Sequence, residues 1–422
     1  MIIKKIPSNR TANHNFINIM ICIMIIASTL GSGNHFSIRI LGFNLSLVRC
    51  VLLVLIGFAL YNMSMYDWKI VYNKKSYNLY LLWSIWISWG IISIIWANDK
   101  NAWSQDIFLL IEGFLFYFVF LIFFKTSDDF KQAFKSMLVA MIFHNLIGYF
   151  EIFTGRYLFL ENQIFLKFYD STGIRHPIST MSNENDFACL MILSVTVCYI
   201  CLHIFVEKRW KTISFFTLIS SAGLIIIGES RGCILGLAVI IVFYIILQNN
   251  IKRKIIMNAV FVLVVISAYL VISDNSFITS DSSYFNDITR MNLIKNSIQG
   301  TIDSCGFGVG AGQSAHYMNS HNAIYNTGGI ISVHNWWFQI LLEYGILFFL
   351  IYVYLYIDIT YNLFKLYKKD YNSENEAISK GFLGFLIVFI ILSVVPSSLI
   401  GCEFMWCWWG IIYAFYSNKI YI

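Results

Sequence analysis

The chain has 422 residues, of which 58% are hydrophobic, 18% aromatic and only 12% charged. Ordinary soluble domains carry about 25% charged residues, so composition excludes a soluble or disordered protein and predicts a polytopic membrane protein. The formal net charge of +6 would suit nucleic acid, but the placement of the basic residues accounts for it without such a partner.

Apolar runs of about 17–25 residues mark spanning helices, and the chain holds roughly a dozen. They centre near Met24, Val54, Trp86, Phe118, Phe143, Val195, Leu218, Ile240, Val264, Phe348, Val388 and Ile411. The first follows Lys4, Lys5 and Arg10 without a clear small-residue cleavage site, and is read as an uncleaved span. The last, from about Glu403 to Ser417, is short enough to be tilted, interfacial or partly re-entrant. Residues 1–422 are expected to form one all-α integral-membrane unit.

Orientation follows from lysine and arginine. With the N-terminus cytoplasmic, the inside segments hold Lys69/Lys74/Lys75, Lys125/Lys131/Lys135, Lys208/Arg209/Lys211, Lys252/Arg253/Lys254 and Lys365/Lys368/Lys369/Lys380. Adding Lys4, Lys5, Arg10 and Lys419 brings 20 of the 29 basic residues inside, as positive-inside orientation requires. The nine cysteines fall mostly within spans, show no CxxC pair, and are read as small packing residues.

Two long segments are then left outside, residues 155–185 and 274–333. The second is too long for a bare connector. From Asp287 to Ile298 its apolar residues recur at near-helical spacing, which predicts a short amphipathic helix on the membrane surface, ended by Gly300. Gly306, Gly308, Gly310 and Gly312 alternate with Phe307, Val309 and Ala311. They can offer backbone amides to a phosphate or let the loop press on a membrane helix. No strand–turn–helix unit surrounds them, so they are not a dinucleotide fingerprint.

His334 stands at the outer mouth of the next span, where imidazole is a proton acceptor near neutral pH; otherwise it caps the helix with Asn335. No paired histidine spacing predicts a metal site. Arg231, at a span junction after Glu229, needs an anionic partner, either Glu229 or a phosphate. Arg290 begins the surface helix, and for both arginines snorkelling or a salt bridge competes with a ligand role. Two guanidinium forks beside an imidazole would suit a diphosphate leaving group. Arg175, Asn183 and Asn185 precede another span; they either cap it or hold sugar hydroxyls. Glu112 and Glu343 are costly intramembrane acids. Trp336 and Trp337 behind His334 are read as interfacial belt residues rather than a sugar platform.

These pieces resemble the O-antigen polymerase (Wzy) and O-antigen ligase family of bacterial membrane glycosyltransferases. The resemblance rests on Glu229-Ser230-Arg231-Gly232, on Arg290 leading to Gly306–Gly312, on His334-Asn335 with Gly345 after it, and on Asn183 and Asn185 before a span. It covers about residues 180–365, in order. It implies a multi-span GT-C-like helical fold and a metal-independent glycosyl transfer, with no cofactor, on the outer face of the bacterial cytoplasmic membrane. The implied donor is an undecaprenyl-diphosphate-linked glycan. Arg231 and Arg290 would hold the diphosphate, and His334 would orient or deprotonate the attacking hydroxyl. Implied partners are membrane lipid, a flippase and a chain-length regulator. The chain departs from the family in its short final span and in lacking proline between Asn183 and Asn185. Three functions are weighed: a polymerase of O-antigen or capsule repeat units, a ligase moving finished glycan to lipid A core or another acceptor, and a transporter of the lipid-linked unit. Transporters usually show repeated halves and polar groups at the midplane, and neither is visible here.

Overall fold

The computed structural model describes residues 11–31, 36–40, 43–66, 74–159, 176–181, 183–248, 281–369, 373–396 and 398–418, with short helical pieces between 251 and 266. Arg175 and the centre of the run near Val264 lie outside them. The elements are α1 (Thr11–Ser28), β1 (Ser37–Ile40), β2 (Phe43–Ser46), α2 (Leu47–Tyr66), α3 (Lys74–Ile92), α4 (Lys100–Phe123), α5 (Ser127–Thr154), α6 (Glu184–Ile204), α7 (Lys208–Ile227) and α8 (Arg231–Ile246). Then come α9 (Asp281–Asp303), α10 (Ser314–Met318), α11 (Trp336–Lys369), α12 (Ser373–Leu392) and α13 (Glu403–Asn418). Among the described residues eight helices are long and apolar enough to cross a membrane, and two shorter apolar helices accompany them. The protein is an all-α, multi-pass membrane protein, apart from the small antiparallel pair β1–β2.

Local chemistry sets the helix ends. Asp99 caps α4 by accepting the N–H groups of Asn101 and Ala102 at 2.9 and 3.0 Å. Thr126 and Asp129 form a reciprocal capping box on α5, and Gly155 closes that helix at φ 68°, a left-handed turn that glycine adopts without strain.

The short final helix α13 lies at the centre of the bundle. Every residue from Glu403 to Ser417 is buried, as a helix apolar on all sides demands. Glycine permits its approach to α4: a Cβ on Gly113 would lie 2.7 Å from the Trp406 ring, and one on Gly410 2.7 Å from the Phe120 ring. The expectation of a possible interfacial segment is corrected by this burial. Beside it, Arg49 of α2 forks onto Glu112 at 3.0 and 3.1 Å and lies 3.4 Å from Glu403. Glu403 also accepts a hydrogen bond from Ser46 Oγ at 3.0 Å. Glu112, a candidate for chemistry in the sequence, is thus neutralised within the core by an arginine that the sequence reading passed over.

α11 would measure about 51 Å if straight, against roughly 30 Å of hydrocarbon. It breaks at Gly345, with φ 81° and ψ 176°. Residues 336–344 double back along residues 346–369. Tyr344 packs on Phe348 with ring centres 5.6 Å apart, and Trp337 on Tyr356 at 5.1 Å. The Trp336 indole donates to the Tyr352 hydroxyl at 3.0 Å. The spanning arm therefore starts after Gly345, and the expectation that a span begins directly behind His334 is corrected. By helical rise, His334 lies roughly 15 Å from the break, toward the middle of the spanning arm.

The predicted surface helix exists but is longer, Asp281–Asp303, and Gly300 does not end it. Gly300 instead lets α9 close on its neighbours: a Cβ there would lie 2.5 Å from Leu342 and 2.8 Å from Tyr317.

Candidate active site

His334 precedes the doubled-back arm in a left-handed conformation, φ 50°, uncommon for a residue with a side chain and concentrated at functional sites. Its neighbour does the capping: Asn335 Oδ1 accepts the N–H groups of Trp337 and Phe338 at 3.1 and 3.3 Å. The turn after α12 holds this helix start. Trp336 N–H donates to the Ser393 carbonyl at 2.9 Å, and the Trp337 indole to Ser393 Oγ at 2.8 Å. His334 itself is half-buried, and its Nδ1 is enclosed without a hydrogen-bond partner. Burial first, and then the Arg290 guanidinium, hold the imidazole below its usual 6.5, against an opposing contact with the Pro396 backbone. Burial and the Arg290 charge both favour the neutral ring, the form that accepts a proton.

Arg290 is exposed, but it lies on the side of α9 that carries the buried Leu293 and Ser297, so its charge reaches His334. Arg231 is also exposed, as the first residue of α8. The elbow before it is fixed by Ser230 Oγ, which donates to Asn185 Oδ1 at 2.9 Å, and by Glu229 at φ 52°. Glu229 turns to His176, 4.0 Å away, so the sequence option of a Glu229–Arg231 pair is replaced. The first turn of α8 abuts the 393–396 turn, where a Cβ on Gly232 would lie 2.5 Å from Val395. His334 and Arg231 thus stand on elements that share one turn, and Arg290 approaches His334 from α9.

Apart from Asn185, the other described candidates separate from this group. Asn183 caps α6, accepting the Asp186 N–H at 2.9 Å, whereas Asn185 positions the Arg231 elbow. The glycine run presses on the break in α11. Val309 and Gly310 N–H donate to the carbonyls of Leu342 and Glu343 at 2.8 and 3.0 Å, and Ile346 N–H to Gly306 at 3.0 Å. A Cβ on Gly308 would lie 2.6 Å from the Glu343 carbonyl, and one on Gly312 2.4 Å from the Ala102 carbonyl. Ala311 N–H donates to Ser93 Oγ at 3.0 Å, and the Trp96 indole to the Gly308 carbonyl at 3.1 Å. These bonds use the run for close packing, and Gly310 turns within it at φ 109°. Glu343 is buried behind the run and accepts the Ser314 N–H at 3.3 Å.

Sequence reasoning missed the anchors of the segments around Thr29 and Ser179. His144 lies 2.9 Å from Ser179 Oγ and 3.0 Å from Thr29 Oγ1. Glu151 accepts the N–H groups of Ile178 and Ser179, each at 2.8 Å. The two residues stand two turns apart on one face of α5, a spacing the sequence does show. The role of Ser393 and Pro396 carried no sequence signal, because it depends on a contact across the fold.

Residues 215–353 match the family described as O-antigen ligase. That stretch contains Arg231, Arg290, His334, the glycine run and Gly345. TuaE of Bacillus subtilis (strain 168), a teichuronic acid biosynthesis protein, is 24% identical over an alignment of 410 positions that covers 93% of this chain and 82% of that protein. Both comparisons support the O-antigen ligase and polymerase family, the one that the motifs between residues 183 and 345 resemble.

Proposed function

We propose that the protein is a polysaccharide polymerase that joins undecaprenyl-diphosphate-linked oligosaccharide repeat units on the outer face of the cytoplasmic membrane. The coarser statement, a glycosyltransferase-type polymerase or ligase of cell-envelope glycan assembly, has the support of the family match and the teichuronic acid relative. The finer one is carried by a half-buried imidazole that burial and the Arg290 cation hold toward its neutral form, with an unpartnered Nδ1. In this reading His334 takes the proton of an attacking sugar hydroxyl, and the oxygen bonds to the anomeric carbon of the donor. The bond from that carbon to phosphate breaks, and the diphosphate lipid leaves with the electron pair, its charge balanced by Arg290 and Arg231. Asn185 acts through the Arg231 elbow. In cells lacking the protein, lipid-linked glycan is expected to remain as single repeat units. Long polymer still on its carrier would overturn the polymerase and favour a ligase.

Arg290 carries a prediction that separates clamp from charge. Arg290→Lys is expected to lose about tenfold or more in turnover, because a point charge does not reproduce a two-pronged phosphate contact. Arg290→Gln is expected to shift the pH profile as well. Activity falls as pH drops through the imidazole pKa, and removing the cation raises that pKa toward 6.5. The acid limb should move to higher pH in Arg290→Gln and stay near its place in Arg290→Lys. Coincident limbs in all three proteins would separate Arg290 from His334.

A further inference from the structure

We infer that α9 is seated in the outer leaflet of the bilayer by the face it turns away from the site. Its amphipathicity runs opposite to that of a helix on a water-facing surface. The buried side carries Thr289, Leu293, Asn296, Ser297, Gly300 and Thr301, mostly polar or small. The outer side carries Ile288, Met291, Ile298 and Ile302, which are 41, 54, 42 and 63% exposed. At about 100° per residue these sets centre roughly 180° apart, so the apolar stripe is a true face about 21 Å long. Lys295 falls in the middle of the stripe with its ammonium 5.3 Å over the Tyr325 ring, a placement that lets the stem lie on an apolar surface while the charge stays at its edge.

Lipid is the occupant because the stripe runs into a surface that already faces lipid. Its C-terminal end leads to Phe307, 58% exposed and stacked on Trp89. Gly306 there is hydrogen-bonded to Ile346, the first residue of the spanning arm of α11. Ile346, Leu347 and Leu350 on that arm are 52, 72 and 57% exposed, as the outer face of a membrane span must be. Arg290 projects from the opposite side of the same helix. Burial of the stripe thus fixes the position at which the guanidinium stands beside His334. The seating itself does not depend on the proposed reaction.

The test uses the unmodified full-length protein in phosphatidylcholine–phosphatidylglycerol vesicles, with two photoreactive probes read by peptide mass spectrometry. One is a phospholipid with a diazirine in its acyl chain, the other a small water-soluble diazirine. The acyl probe is expected to label Met291, Ile298 and Ile302 within about threefold of Leu347 and Leu350, and the aqueous probe to label them at least about fivefold less than His321 and Asn322. Aqueous labelling equal to that of His321 and Asn322 would overturn the inference. Protection from both probes would also overturn it, by showing that another protein surface covers the face.

Discussion

His334→Ala is expected to abolish polymer formation while the protein remains in the membrane at its normal level. Removing a general base typically costs about 10²–10⁴-fold in rate. The stability cost should be modest, because the ring gives up only its contact with the Pro396 backbone, its Nδ1 makes no hydrogen bond, and the left-handed backbone at φ 50° is strained with either side chain. The fixed points of the turn also survive: Asn335 still caps the arm, and Trp336 and Trp337 still bind Ser393. Polymer length on gels, normalised to the amount of protein in membranes, measures the effect. Unchanged polymer would remove His334 from the mechanism.

Gly345→Ala is expected to reduce the folded protein sharply. With φ 81° and ψ 176° the residue sits in a region that is close to glycine-only, which alone costs about 1–3 kcal/mol for alanine. A Cβ would also lie 2.2 Å from the Gly306 carbonyl oxygen and 2.5 Å from the Phe307 carbonyl carbon. Both neighbours are backbone, so relief requires the loop and the broken helix to part. Parting them would undo the bonds from Val309, Gly310 and Ile346 at once. The measurable outcome is a lowered melting temperature in detergent and a lower membrane level. A variant as stable as the unmodified protein would show that the doubled-back arm is not what the glycine secures.

The fold class was legible because membrane insertion writes itself into composition and periodicity. The orientation drawn from the basic clusters remains an expectation. What escaped was depth and direction. Residues 336–369 form one apolar run, and nothing local separates a single long span from a short arm folded against a longer one; Gly345 is the signal, and its meaning comes from Gly306 and Phe307 pressing on it. The same limit explains α13, whose modest length pointed to the periphery although its aromatic character on every side pointed to the interior. At the site, residue chemistry left Arg290 and His334 with structural alternatives and the family resemblance supplied their roles; the structure brings the Arg290 charge within reach of the imidazole. Glu229 was offered to Arg231 because they are neighbours in sequence, yet positive φ at Glu229 turns it toward His176. Asn183 and Asn185 looked equivalent in sequence, and only tertiary contact distinguishes a cap from a support.

The central position of α13 has a consequence for how the protein is made. α13 follows the other described helices in the sequence, so those helices leave the ribosome before the element they close upon. The turn supporting His334 leads directly into that closing segment. Assembly of the bundle and of the turn that holds His334 are thus tied to this one element, and a chain cut before Glu403 loses its hub rather than its edge.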